Sequence, residues 1–341
     1  MRLKRHSLLA GPALLACLAV GLCSGTATAA AAELTGAGST LIAPLLEEHW
    51  AVEFEHLYGD KVKYGAVGSG AGIEQISARA VEFGASDAPL TSTQAAGCHG
   101  CVQIPWALTA TGIAYHLEGV GRLRLTGPVL AEIYLGKITT WNDPRIAKLN
   151  KGESLPSLPI TVVFRSDGSG DTYAFTNYLS DVSSEWKSKV GFATSVSFTT
   201  GTGAKGNAGV TAVVVATNGS IGYISASYII AHHLSAAALK NAAGKYEYPN
   251  LKNISNAAAS IKKVPSNNEL HIVDPPKKYK VAYPLSTFTY CIAPTNPVNK
   301  ATLQSWIQYA ITKGQKFGPA LDFAPLPKVV LKADEKTAKS L

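Results

Sequence analysis

Charge is scarce in this chain: Asp, Glu, Lys and Arg make up only 16% of its 341 residues. What charge there is does not gather. The longest basic concentrations, "PPKKYK" and the C-terminal "KADEKTAKSL", are short and have acids in or beside them, which describes a solvated surface and excludes a nucleic-acid interface. Beyond residue 32 no apolar run reaches the roughly 18 residues of a membrane-spanning helix. There is no internal repeat and no low-complexity linker. No G-x-x-x-x-G-K-[ST] loop is present, and no G-x-S-x-G nucleophile elbow. The one G-x-G-x-x-G, "GTGAKG" from Gly201, lacks an acidic residue at the ribose spacing, so a dinucleotide site is not supported. Histidine is equally unhelpful to a hydrolase: of eight, His232 and His233 are adjacent, His6 lies in the leader and the rest are scattered. No nucleophile–base pair or metal cluster follows from them, and no cofactor or metal is expected.

What is present begins with an export signal. Arg2, Lys4 and Arg5 precede the 15-residue apolar stretch "LLAGPALLACLAVGL", and "TATAAAA" supplies small residues for cleavage, so residues 1–32 read as a signal peptide. A periplasmic or secreted chain is expected. Lipid anchoring through Cys17 or Cys23 is the competing reading, disfavoured because Cys23 follows the bulky Leu22 and Cys17 would leave an apolar tail. The 309 residues left (341 minus 32) exceed what one core usually serves, and two domains are the default. With three of the 31 basic residues in the signal and no acid there, the remaining balance is 28 minus 23, or +5. In an oxidising compartment Cys98 and Cys101 of "AAGCHGCVQ" are expected to pair, while Cys291, inside the apolar run "TFTYCIAP", is expected as a buried free thiol.

Strand-like runs alternate with amphipathic helices, the pattern of a mostly parallel sheet covered on both faces. Three alternations share a design. "ELTGAGSTLIAPLLEEHW" turns at Gly36–Gly38, where Ser39 or Thr40 can cap, then places Ile42, Leu45, Leu46 and Trp50 at helical spacing. "VKYGAVGSGAGIEQISA" passes Gly68, Ser69 and Gly70 into a helix at about Ala71, and "ITVVFRSDGSGDTYAFTNYL" passes Gly168, Ser169 and Gly170 into another. A strand, a Gly/Ser turn and a helix start together make an anion site, because the first-turn amides lack partners within the helix and the dipole is positive there. Any one such turn is more often a cap; three in one chain point further.

In order and spacing, "TGAGSTLIAP", "VGSGAGIEQI", "VEFGASDAPL", "IYLGKITTWNDPRIAKLN", "FRSDGSGDTYAFTNYL", "GAKGNAGV" and "GSIGYISASY" resemble the phosphate-binding proteins that feed the phosphate-specific ABC importer of bacteria. The resemblance covers nearly the whole chain after the leader. It implies an α/β Venus-flytrap of two domains, residues 33–111 with 286–341 and residues 112–285, joined by two chain crossovers. It also implies high-affinity binding of inorganic phosphate by a monomer, delivery to the membrane permease of an ABC transporter, and no enzymatic activity. Carried over position by position, the ligand contacts would be Thr40, Leu41, Ser69, Asp87, Arg165, Ser169, Gly170 and Asp171, with Asp167 supporting Arg165. Asp171 stands at a position where relatives vary between threonine and aspartate, so it is either a ligand contact or a helix-start carboxylate.

The residue chemistry agrees with that assignment. A guanidinium donates two parallel bonds to an oxyanion, and Asp167, two residues on, can brace it from behind. One arginine among three carboxylates cannot attract an anion by net charge, so selection must be geometric. Asp87 as a carboxylate can only accept, which demands a proton on the ligand that phosphate carries near neutral pH and sulfate does not. The bland alternatives are a surface ion pair for Arg165 and a turn cap for Asp87 in "ASDAP". Another oxyanion or small solute, or an exported phosphatase, are the other functions to separate.

Overall fold

In the computed structural model residues 31–341 are described. The stretch read as an export signal lies outside them up to residue 30. Among the described residues no helix is long and apolar enough to cross a membrane.

The alternation expected from the sequence is there. Strand Glu33–Gly38 pairs in parallel with Lys61–Ala66 and Phe83–Ser86. Strand Thr161–Arg165 pairs in parallel with Ser220–Ser225 and Thr202–Ala204. Between these two parallel flanks stand the long strands Cys101–His116 and Ser286–Pro294, antiparallel to their neighbours. The sheet is therefore mixed rather than mostly parallel. A chain that leaves one lobe on one strand and comes back on the strand beside it must pair with itself antiparallel. Cys101–His116 changes partner midway: through Ala110 it faces Ser286–Pro294, and from Thr111 it faces Ser220–Ser225. That exchange of partners along one strand is compatible with a two-domain Venus-flytrap.

The apolar side chains gather in two large clusters, the second of which also takes in Phe288 and Tyr290 of strand Ser286–Pro294. In the first, Leu45, Leu46 and Trp50 are buried, as their spacing requires, on the consecutive helical turns Ala43–Leu45 and Leu46–Trp50, and Ile42, buried too, sits just before them. Trp50 meets Trp106 edge-on at 5.5 Å and Trp306 at 6.2 Å, each such pair worth about 0.5–1.5 kcal/mol beyond its burial. Trp306 belongs to helix Lys300–Ile311, and Ala338 and Leu341 join the same core, so the chain's last segment closes the first cluster. In the second, Phe175 stacks on Tyr223 at 4.4 Å and tilts against Tyr134 at 4.6 Å. Cys98 and Cys101 are joined as a disulfide and Cys291 is buried, both as expected.

Candidate functional site

Three helices point their N-termini at the junction between lobes: Ser69–Ser77, Gly170–Val182 and Gly206–Ala216. The first starts two residues earlier than the sequence indicates, directly after Gly68, whose φ of 98° only glycine adopts without strain. A Cβ on Gly68 would also meet Asp167 Oδ2 at 2.4 Å, and one on Gly170 would meet Asp87 Cβ at 2.3 Å. The Gly70 amide donates to the Gly168 carbonyl at 2.9 Å across the junction. Glycine in these turns is thus a condition of lobe-to-lobe approach, not merely of turning.

Within that junction lie Ser39, Thr40, Ser69, Asp87, Arg165, Ser169 and Asp171, all buried. Arg165 donates through Nε to Asp167 Oδ1 at 2.7 Å and through Nη2 to Oδ2 at 2.5 Å, the fork-to-fork brace expected. Its Nη1 reaches Asp171 Oδ2 at 3.1 Å. Asp171 is held further by the Thr111 hydroxyl at 2.6 Å on Oδ1 and by Asn207 Nδ2 at 2.8 Å on Oδ2. A carboxylate so engaged is part of the buried network, which is more than a solvated helix-start residue would be. Asp167 also accepts from the Gly206 amide at 2.9 Å.

On the other side of the junction, Ser39 Oγ donates to both oxygens of Asp87 at 2.6 Å, and Ser69 Oγ approaches Oδ2 at 3.3 Å. Two of the amides assigned to a ligand face protein oxygens instead: Leu41 N donates to Ser39 Oγ at 3.0 Å and Gly170 N to Ser69 Oγ at 3.1 Å. Ser169 caps its helix, its Oγ accepting from the Thr172 amide at 3.3 Å. Thr40 Oγ1 accepts twice from Asn207, from N at 3.2 Å and from Nδ2 at 3.0 Å. Behind Arg165 the core reaches the site directly: Tyr223 Oη accepts from the Arg165 amide at 2.9 Å and bonds Thr172 Oγ1 at 2.7 Å.

Burial, and next the Asp171 carboxylate, push Asp87 up to about 7. Burial also raises Asp171, with Arg165 opposing. For Asp167 burial acts upward but the bonds from Arg165 outweigh it, and its carboxyl lies below the usual range. Arg165 is raised: burial alone would lower it, and the Asp167 bonds prevail. The arrangement is a buried cluster of hydrogen-bond donors around one fixed cation and one carboxylate poised to hold or give up a proton near neutrality. That chemistry suits an oxyanion carrying a proton.

Ser39 was legible only as a cap, Thr111 only as a crossing point and Asn207 only as part of "GAKGNAGV". Their partners lie 48, 60 and 167 or 36 positions away in sequence. The signal that could have found Asn207 is a polar residue at the first turn of a helix that follows a Gly-containing turn, the same design as the other three.

The chain matches the family described as "PBP superfamily domain" over residues 24–313. It is 39% identical to the phosphate-binding protein PstS of Xylella fastidiosa over 309 residues, covering 89% of this chain and 84% of that protein. To the phosphate-binding protein PstS of Pasteurella multocida it is 38% identical over 310 residues, covering 89% of each. Its fold resembles the crystal structure of the phosphate-binding protein of Stenotrophomonas maltophilia with a TM-score of 0.71 at 22% identity, covering 90% and 94% of the two chains. It likewise resembles a high-affinity periplasmic phosphate-binding protein solved with phosphate bound, at a TM-score of 0.69 and 21% identity over 88% and 92%.

Proposed function

From the premise that this chain belongs to the PstS family of phosphate-binding proteins, within the PBP superfamily, we propose that it binds inorganic phosphate outside the cytoplasmic membrane and passes it to the permease of an ABC importer. The observation that carries the reading is the pairing of Arg165, forked onto Asp167, with Asp87 across the lobe junction. The arginine supplies donors to unprotonated oxygens, and Asp87 accepts the proton that phosphate keeps. Sulfate would leave two acceptors opposed in a dry pocket, and a site built on such a bond rejects the analogue lacking it by roughly 10⁴ or more. Thr40, Leu41, Ser69, Ser169, Gly170 and Asp171 complete the set of ligand contacts in this reading. The ligand-holding lobes are taken as residues 33–111 with 286–341, and residues 112–285. The strand pairing supports that division, because Ala110 lies opposite Ser286 and Thr111 opposite Ser225.

The protein acts as an exported monomeric carrier and not as a phosphatase in this reading. Isothermal titration with phosphate and sulfate at one pH tests the ligand, and a chromogenic phosphate ester tests for turnover. Saturable phosphate binding that a large excess of sulfate leaves unchanged is expected; equal affinity for the two ions, or steady ester hydrolysis, overturns the assignment.

A further inference from the structure

We propose that Asn207 is a positioning residue that makes the Thr40 hydroxyl an obligate hydrogen-bond donor to the bound anion, and does so only when the lobes are together. This deepens the phosphate-binding reading and rests on it. Asn207 is fully buried and held from three sides. Its Oδ1 accepts from the Ser225 amide at 2.8 Å, and its Nδ2 donates to Asp171 Oδ2 at 2.8 Å. A backbone amide can only donate and a carboxylate of this kind accepts, so both neighbours fix the same orientation of the side-chain amide. The second proton on Nδ2 is thereby aimed at Thr40 Oγ1, 3.0 Å away, and the Asn207 backbone amide reaches the same oxygen at 3.2 Å.

A hydroxyl has two acceptor positions and one proton. Both acceptor positions of Thr40 are taken by Asn207, and its proton has no acceptor among the described residues. Ser39 and Ser69 differ, since their hydroxyls are turned onto Asp87. Thr40 can then offer only a proton, so it selects an unprotonated ligand oxygen, while Asp87 selects a protonated one. The two residues read opposite ends of one anion and fix its orientation. Thr40 stands on the first lobe and Asn207 on the second, so the open protein has a Thr40 hydroxyl free to rotate and closure commits it.

The test is a double-mutant cycle on phosphate binding with Asn207→Ala, Thr40→Val and both together, with association and dissociation rates measured separately. Each single change is expected to weaken binding about tenfold or more, about 1.4 kcal/mol. The loss should lie in the dissociation rate, because the bonds between Asn207 and Thr40 form only on closure, after the ligand has been met. In the Thr40→Val background the Asn207→Ala change should cost less than about threefold further, as residues acting through one another are non-additive. The isosteric Asn207→Asp keeps the shape and the Ser225 bond but offers Thr40 an acceptor, and should lose at least as much should Asn207→Ala fold poorly. Fully additive losses, or Asn207→Ala binding within about threefold of wild type, overturn the inference while leaving phosphate binding standing. Wild-type protein that takes up no phosphate overturns the functional reading itself.

Discussion

Replacing Arg165 with alanine takes two charge-assisted bonds from the partly buried Asp167 and one from the buried Asp171, leaving both carboxylates without their cation. Phosphate affinity is expected to fall by roughly 2–5 kcal/mol, and titration showing a change below about 0.7 kcal/mol would remove the guanidinium from the site. Asp87→Asn puts a donor where there was only an acceptor, and should let sulfate compete where it is excluded from the wild type; unchanged exclusion sinks the selectivity argument. Away from the site, Asp334 is fully buried with neither carboxylate oxygen bonded, and burial, with Glu335 adding to it, lifts it to about 9. Below about pH 4, the usual value for the unfolded chain, both states are neutral there. As pH rises from 4 to 9 the unfolded chain ionises first and native stability falls. Asp334→Asn should therefore stabilise the fold increasingly with pH, by about 1–3 kcal/mol near pH 8 in denaturant unfolding, and the same gain at pH 5 as at pH 8 would contradict this. Arg165, Asp167, Ser169 and Asp171 were legible because they occupy one short motif, and Asp87 because its turn is distinctive. Ser39, Asn207 and Thr111 were not, because each is defined by a partner that only folding brings near.

Single elements explain how the site is held. The strand Thr161–Arg165 delivers the guanidinium, and the aromatic stack of Tyr223 on Phe175 ties its neighbour in the sheet, Ser220–Ser225, to the helix carrying Asp171. Tyr223→Phe removes the oxygen shared by the Arg165 amide and the Thr172 hydroxyl. Thermal unfolding should register a loss of about 1–3 kcal/mol, and an unaltered melting curve would show that the two groups find other partners. At the start of the Gly170–Val182 helix, Gly170→Ala drives a methyl into Asp87. The ligand-free protein should keep its stability, since neither Gly170 nor Asp87 belongs to an apolar cluster, while phosphate affinity falls at least tenfold, about 1.4 kcal/mol. Helix positions were readable from the spacing of residues such as Leu45, Leu46 and Trp50 and from their glycine turns. Strand direction was not: Cys101–His116 and Ser286–Pro294 look like any buried apolar run until their partners are known, and it is those two that make the sheet mixed.

At the scale of the whole molecule, the closed arrangement brings Asp87 and Asp171 within mutual influence, and Asp87 gives up its proton at about 7. With the carboxyl of the open form at its ordinary value of about 4, the closed ligand-free form loses ground as pH rises from there to about 7, where the loss is complete. Small-angle scattering of ligand-free protein should show a larger radius at pH 8.5 than at pH 6, and saturating phosphate should abolish the difference; superposable curves at both pH values would overturn this. The packing of the chain's last segment against its first has a mechanical corollary. On the division proposed above, strand Glu33–Gly38 and helix Lys328–Lys339 both belong to the first lobe, and Leu34 and Ala338 share one apolar cluster. Tension applied between the two ends is borne by that lobe alone, and the second hangs from it like a loop off the load path, untouched until its host gives way. In a pulling experiment the first lobe should rupture before the second in every trace. The ion-holding cluster, which needs both, should be lost at the first rupture while half of its residues are still folded.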